Sequence, residues 1–165
     1  MKNTTLCYLE KDGQYLMLFR NRKKNDLNAG KWVGVGGKFE EGESPDDCLL
    51  REVQEETGLT LTRYRCRGIV TFVSDQWEGE YMHLFTADRF TGTLSACDEG
   101  ELCWVEKDLV PELPLWEGDR VFLRMLCTDG PFFSLKLVYA GEVLKKAVLD
   151  GRELRIPEAL KGEEA

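Results

Sequence analysis

The chain predicts an α/β protein of the α+β kind, in which a mixed β-sheet is sandwiched between α-helices. Two observations carry that expectation. Short apolar or alternating runs broken by polar turns recur along the chain, while helix-start and helix-stop signals gather in only two places. The order of these segments packs helices on a sheet rather than on one another. With 165 residues, 42% of them hydrophobic, the chain can bury one core and is too short to divide comfortably in two. A single domain over residues 1–151 is expected, followed by a polar, acid-rich tail, 152–165, expected to fray.

Residues 6–9 and 15–19 flank Lys11-Asp12-Gly13, the composition of a β-hairpin. A polar, basic loop, 20–30, leads to a short apolar run, 32–35, that ends in the Gly36-Gly37 turn. The first helix is predicted over 45–57, with Ser44 as N-cap, Pro45 at the first position, Asp46 and Asp47 in the first turn and Gly58 at the stop. Runs at 67–73, 81–88 and 101–105 read as strands. A second helix is predicted over 119–128, with Val121, Phe122, Met125 and Leu126 on one side and Gly130 beyond its end. Residues 132–139 and 143–148, joined at Ala140-Gly141, form a closing hairpin.

Charge and composition narrow the functional classes. A formal charge of -8 repels a polyanion, and no block of Lys and Arg lies on a helix, so long DNA or RNA is excluded as a partner. A small anion remains compatible, because a divalent cation can mediate between carboxylates and phosphates. No run of 18 apolar residues and no apolar stretch near the N-terminus point to a membrane or a signal peptide, and a cytoplasmic location is expected. The six cysteines form no CxxC pair and His83 is the only histidine, which argues against structural zinc and a disulfide framework. A monomer or homodimer is equally compatible with this composition.

On the first helix, a step of about 100° per residue gathers Glu52, Glu55 and Glu56 within an arc of roughly 100°, beside the apolar arc of Leu49, Leu50 and Val53. Like charges at these spacings destabilise a helix by about 0.2–0.5 kcal/mol per pair unless cations neutralise them. All-oxygen ligands favour Mg2+, with Mn2+ possible, over zinc.

From Gly37 the chain runs five residues to Glu43, seven more to Arg51-Glu52-Val53, then Glu55-Glu56 and Gly58-Leu59. This 23-residue span resembles the Nudix signature at every defined position, with Val53 and Leu59 in its two aliphatic slots. The resemblance implies a loop–helix–loop holding divalent cations, with Glu52, Glu55, Glu56 and a backbone carbonyl of Gly36-Gly37 as ligands. It also implies that Glu43 and Arg51 tie the loop to the helix in a supporting role. Metals bridging phosphate oxygens and activating water suit such a site to diphosphate cleavage. Either Glu52 or Glu99 is the candidate general base, and Glu99 stands where similar enzymes carry a further metal-linked glutamate.

The run 29–38, the segment 99–104 and Leu115-Trp116-Glu117-Gly118-Asp119 resemble MutT-type 8-oxo-dGTP diphosphatases. That resemblance implies a nucleoside triphosphate substrate, an oxidised purine nucleotide, with Trp116 stacking on the base and Asp119 bonding its edge. Leu27, Val33, Val35 and Lys38 join them as substrate-side candidates. Two of these depart from the mammalian pattern: Val33 stands in place of an asparagine and Leu27 in place of an aromatic. Trp116 also reads as a core aromatic and Asp119 as a helix N-cap. Two other functions compete. ADP-ribose hydrolysis is disfavoured by the absence of a proline between Pro45 and Pro111, and a non-catalytic nucleotide sensor by the intact glutamates.

Overall fold

A computed structural model of the protein describes residues 1–156. The N-terminal hairpin forms as expected: β1 (Lys2–Lys11) turns through Asp12 and Gly13, both at positive φ, into β2 (Gln14–Arg20). Only the last two residues of β1 pair with β2. Residues 2–9 instead run parallel to β5 (Glu80–Thr91), while β2 carries β3 (Trp32–Val33) and β6 (Gly100–Glu106) on its two sides. β5 pairs with β4 (Thr60–Ser74), which lies parallel to β7 (Phe133–Ala140), and β8 (Val143–Leu149) follows antiparallel. The result is the mixed sheet predicted.

Side-chain alternation divides the core between the two faces of this sheet. Cys7 and Leu9 of β1, Leu16 of β2 and Phe85 of β5 pack with Leu49 and Val53 of α1 (Pro45–Thr57). Their neighbours Tyr8, Met17 and Leu84 pack on the opposite side with Val121 and Phe122 of α2 (Asp119–Leu126). One helix therefore covers each face. α1 starts with a reciprocal capping box, in which the Ser44 and Asp47 side chains each accept the other's amide at 3.0 Å, and it stops at Gly58 in the left-handed region. Such a cap contributes about 1 kcal/mol and fixes where the helix begins.

Three local readings change. β4 begins seven residues before the expected run, because register shifts near Leu61, Arg63 and Cys66 break the alternation that marks a strand. A 3-10 turn, Lys107–Glu112, containing Pro111, follows β6 where no element was predicted. Arg152–Leu154, assigned to the polar tail, forms β9 on β8, held by a backbone ladder that side-chain polarity does not reveal. The rest of that tail, 157–165, lies outside the described residues. No helix among the described residues is long and apolar enough to cross a membrane.

Candidate active site

The strand-to-turn segment after β3 is drawn against β1 by backbone bonds: Cys7 and Val35 exchange amide and carbonyl at 2.6 and 3.0 Å, and the Thr5 amide donates to the Gly37 carbonyl at 2.8 Å. Glycine is required at the closest approach. A Cβ on Gly36 would lie 2.0 Å from the Thr5 carbonyl oxygen, and one on Gly37 would displace the Glu52 carboxyl group, 2.5 Å away. The turn is thus pressed between β1 and the acidic face of α1, and the Gly36 amide donates to the buried Glu56 carboxylate at 3.0 Å.

Arg51 organises the same face. Its guanidinium forks onto Glu43 through two 2.8 Å bonds, reaches the Lys38 carbonyl at 3.0 Å, and donates to Glu52 at 2.7 Å. These bonds hold the Glu43 carboxyl down to about 2. The tie between loop and helix is therefore present in the geometry, and it extends to a candidate ligand. Glu55 is different: its side chain is 59% exposed and leans on Arg51 at 3.3 Å.

A cleft of about 360 Å³ opens in front of this turn. At one end it is lined by Gly36, Gly37, Lys38, Glu52 and Glu99, and at the other by Leu27, Val33, Trp116 and Asp119. Glu99 stands in the turn just before β6 and is held by Arg20 at 2.7 Å and Lys23 at 4.0 Å. Val35 is a correction: it is fully buried in the α1-side core and does not line the cleft, because its ladder with Cys7 pulls it beneath the sheet. Of the two turn carbonyls, that of Gly37 is already engaged by Thr5.

The donor set fits a hard divalent cation. Burial, with the neighbouring Glu99 and Glu52 charges, pushes the Glu56 carboxyl well above the usual range, and burial raises Glu52 against the pull of Arg51. These carboxyls resist ionisation together, and a hard, oxygen-coordinated cation such as Mg2+ is suited to relieve that. Among the described residues these carboxylates do not converge into a closed cage. Glu99 is turned to Arg20, Glu52 to Arg51 and Glu55 to solvent.

At the other end, both readings of Trp116 hold at once. It is 6% exposed, packed edge-on against Phe72 and Tyr139, and it also lines the cleft. Asp119 is the first residue of α2 rather than its cap; Gly118 occupies the cap and no side chain caps it. The Asp119 carboxyl is instead buried in the cleft wall, which pushes its pKa up to about 7 against the opposing pull of Arg120 and Lys31. Reading by element missed Arg20, Asp26 and Asn28, which also line the cleft, because Arg20 ends β2 and the other two stand in a loop whose only visible feature is polarity.

Residues 2–126 match the NUDIX domain family, and the chain belongs to it. It is 36% identical to the uncharacterized Nudix hydrolase YvcI of Bacillus subtilis over 147 residues, which cover 86% of this chain and 89% of the relative. It is 29% identical to the oxidized purine nucleoside triphosphate hydrolase of Danio rerio over 153 residues, covering 90% and 94%. The crystal structure of a MutT protein from Bacillus halodurans superposes with a TM-score of 0.81 at 29% identity, covering 91% of this chain and 98% of that one. The protein is therefore a Nudix hydrolase similar to MutT proteins.

Proposed function

We propose that this hydrolase is a magnesium-dependent nucleoside triphosphate pyrophosphohydrolase that converts an oxidised purine nucleotide such as 8-oxo-dGTP to the monophosphate and pyrophosphate. One observation carries the reading: a single cleft joins a carboxylate-rich end, at Glu52 and Glu99, to an aromatic, hydrogen-bonding end, at Trp116 and Asp119. The Danio rerio relative, named for oxidized purine nucleoside triphosphates, supports it.

Glu52, Glu56 and Glu99, with a carbonyl of the Gly36-Gly37 turn, are the residues that would hold Mg2+ or Mn2+. Held there, a divalent cation would supply charge that offsets the phosphates and would lower the pKa of a nearby water. Water attacks a phosphorus of the anhydride, one P–O bond breaks, pyrophosphate leaves, and the water's proton passes to a carboxylate. Glu52 and Glu99 both line the cleft, but Glu52 is the better candidate for that base: burial raises its proton affinity against a single cation, Arg51, whereas Glu99 is held by both Arg20 and Lys23. Trp116 offers the base a π-face, and the Asp119 carboxyl, with a pKa near neutrality, can donate to or accept from a purine edge.

The test is chromatographic product analysis across dNTPs, oxidised dNTPs and ADP-ribose, with Mg2+ and with EDTA, which registers pyrophosphate from the triphosphates and AMP with ribose 5-phosphate from ADP-ribose. The expected result is EDTA-sensitive release, fastest with 8-oxo-dGTP; faster cleavage of ADP-ribose would refute the assignment. Trp116→Ala is expected to act twice, because the indole is both core and platform. Stability should fall by about 3–5 kcal/mol, as for other buried tryptophans, and nucleotide affinity in the folded fraction by about 1–3 kcal/mol. Denaturant melts and equilibrium binding on one preparation separate the two losses, and unchanged affinity would remove Trp116 from the substrate site.

A further inference from the structure

The buried indole N–H of Trp116 must find an acceptor. It donates to Asn28 Oδ1 at 2.8 Å. An indole N–H can only donate, so the Asn28 amide must present its oxygen there. Phe72 and Tyr139 meet the ring edge-on, with centroids 5.7 and 5.0 Å away, and Lys31 Nζ lies 4.6 Å above its face. Such contacts tolerate sliding and tilting, whereas the Asn28 bond is directional.

Asn28 is itself held. Its backbone N–H donates to Asp26 Oδ1 at 3.1 Å, and the other Asp26 oxygen accepts Arg20 Nε at 2.8 Å. The side chains of Arg20 and Asp26 are only 10% and 4% exposed, and Arg20 Nη1 continues to Glu99 at 2.7 Å. The loop is closed at its root, where the Arg20 amide donates to the Lys31 carbonyl at 3.0 Å and the Gly30 amide to the Arg20 carbonyl at 2.9 Å. A chain of directed bonds thus runs along the cleft wall from the carboxylate end to the aromatic platform.

We propose that Asn28 is a positioning residue that fixes the plane of Trp116, and that the buried Arg20–Asp26 pair fixes Asn28. The 20–31 loop thereby sets where the base rests relative to the carboxylate end of the cleft, which Arg20 reaches at Glu99. This rests on the nucleotide reading given above, and it makes Asn28 act through Trp116 without touching the reacting atoms.

The test is a double-mutant cycle on the nucleotide that the wild-type enzyme cleaves fastest. Asn28→Ala leaves a buried donor unpaired, so KM is expected to rise about tenfold with most of the loss in KM rather than kcat. Asn28→Asp keeps an acceptor at the same place and is expected to return KM to within about threefold of wild type. In a Trp116→Phe background, which has no N–H to hold, Asn28→Ala is expected to change KM less than about twofold. The same KM rise in both backgrounds, or an Asn28→Ala effect on melting temperature with KM unchanged, overturns the role of Asn28 and leaves the proposed function standing. A wild-type enzyme that cleaves no nucleotide overturns the proposed function itself, and that result is read before any variant is made.

Discussion

Glu56→Gln is expected to reduce turnover by at least about 100-fold at saturating magnesium, the scale of losing a group from a metal-assisted hydrolytic centre. The substitution is conservative for the fold: a glutamine oxygen can still accept the Gly36 amide, and a neutral amide replaces a carboxyl that burial beside Glu99 and Glu52 already drives toward its neutral form. No fall in melting temperature is therefore expected without metal. Magnesium should raise the melting temperature of the wild type, because a ligand that binds only the folded state stabilises it, and should raise that of the variant far less. Glu55→Gln should lose less activity than Glu56→Gln, since Glu55 stands exposed on Arg51. If Glu56→Gln stayed within about threefold of wild-type turnover, Glu56 would have no place in the cation site.

What could be read from sequence was what the chain settles locally. The α1 boundaries follow from Ser44, Pro45 and Gly58, each acting within a turn of its own position, and all recur in the structure. The union of Glu43 with Arg51 spans eight residues and came through the resemblance. Asn28 and Trp116 are 88 positions apart, and Arg20 and Glu99 are 79 apart, so no periodicity or cap could announce those bonds. Val33 and Val35 show the same limit more finely. Both fall on one side of an extended segment, yet Val33 reaches the cleft while the Cys7 ladder buries Val35. Polarity misled in the opposite direction at Arg152–Leu154, where main-chain pairing makes a strand that its side chains do not advertise.

This division has a functional consequence. The carboxylate end is built on α1 and a glycine turn pressed on β1, rigid elements that fix its geometry. The base end is assembled from a loop, two strands and the first turn of α2. Changes in substrate preference can therefore arise at the base end without disturbing the hydrolytic end. Arg20, which donates to Glu99 at 2.7 Å, is a direct contact between the two ends.

Asp119→Ala is expected to lower kcat/KM for 8-oxo-dGTP by about ten- to a hundredfold while leaving dTTP nearly unaffected, because only the purine loses a directed bond worth about 1–3 kcal/mol. The same carboxyl gives a second, independent readout in stability. Burial raises its pKa from the usual 3.8 to about 7, so between those values the folded protein keeps a proton that the unfolded chain has lost. The carboxyl's contribution to stability therefore falls as pH rises from about 4 to about 7 and stays low above that. At about 1.4 kcal/mol per pH unit the ceiling on this penalty is on the order of 4 kcal/mol. Asp119→Asn abolishes the titration while keeping a polar side chain of the same shape, so it should be more stable than wild type at pH 8 and nearly equal to it at pH 4. Urea melts of both proteins across that range measure the difference directly. Stability curves that run parallel from pH 4 to pH 8 would mean that Asp119 is not held near neutrality. An equal loss of kcat/KM for 8-oxo-dGTP and dTTP in Asp119→Ala would mean that it does not read the base.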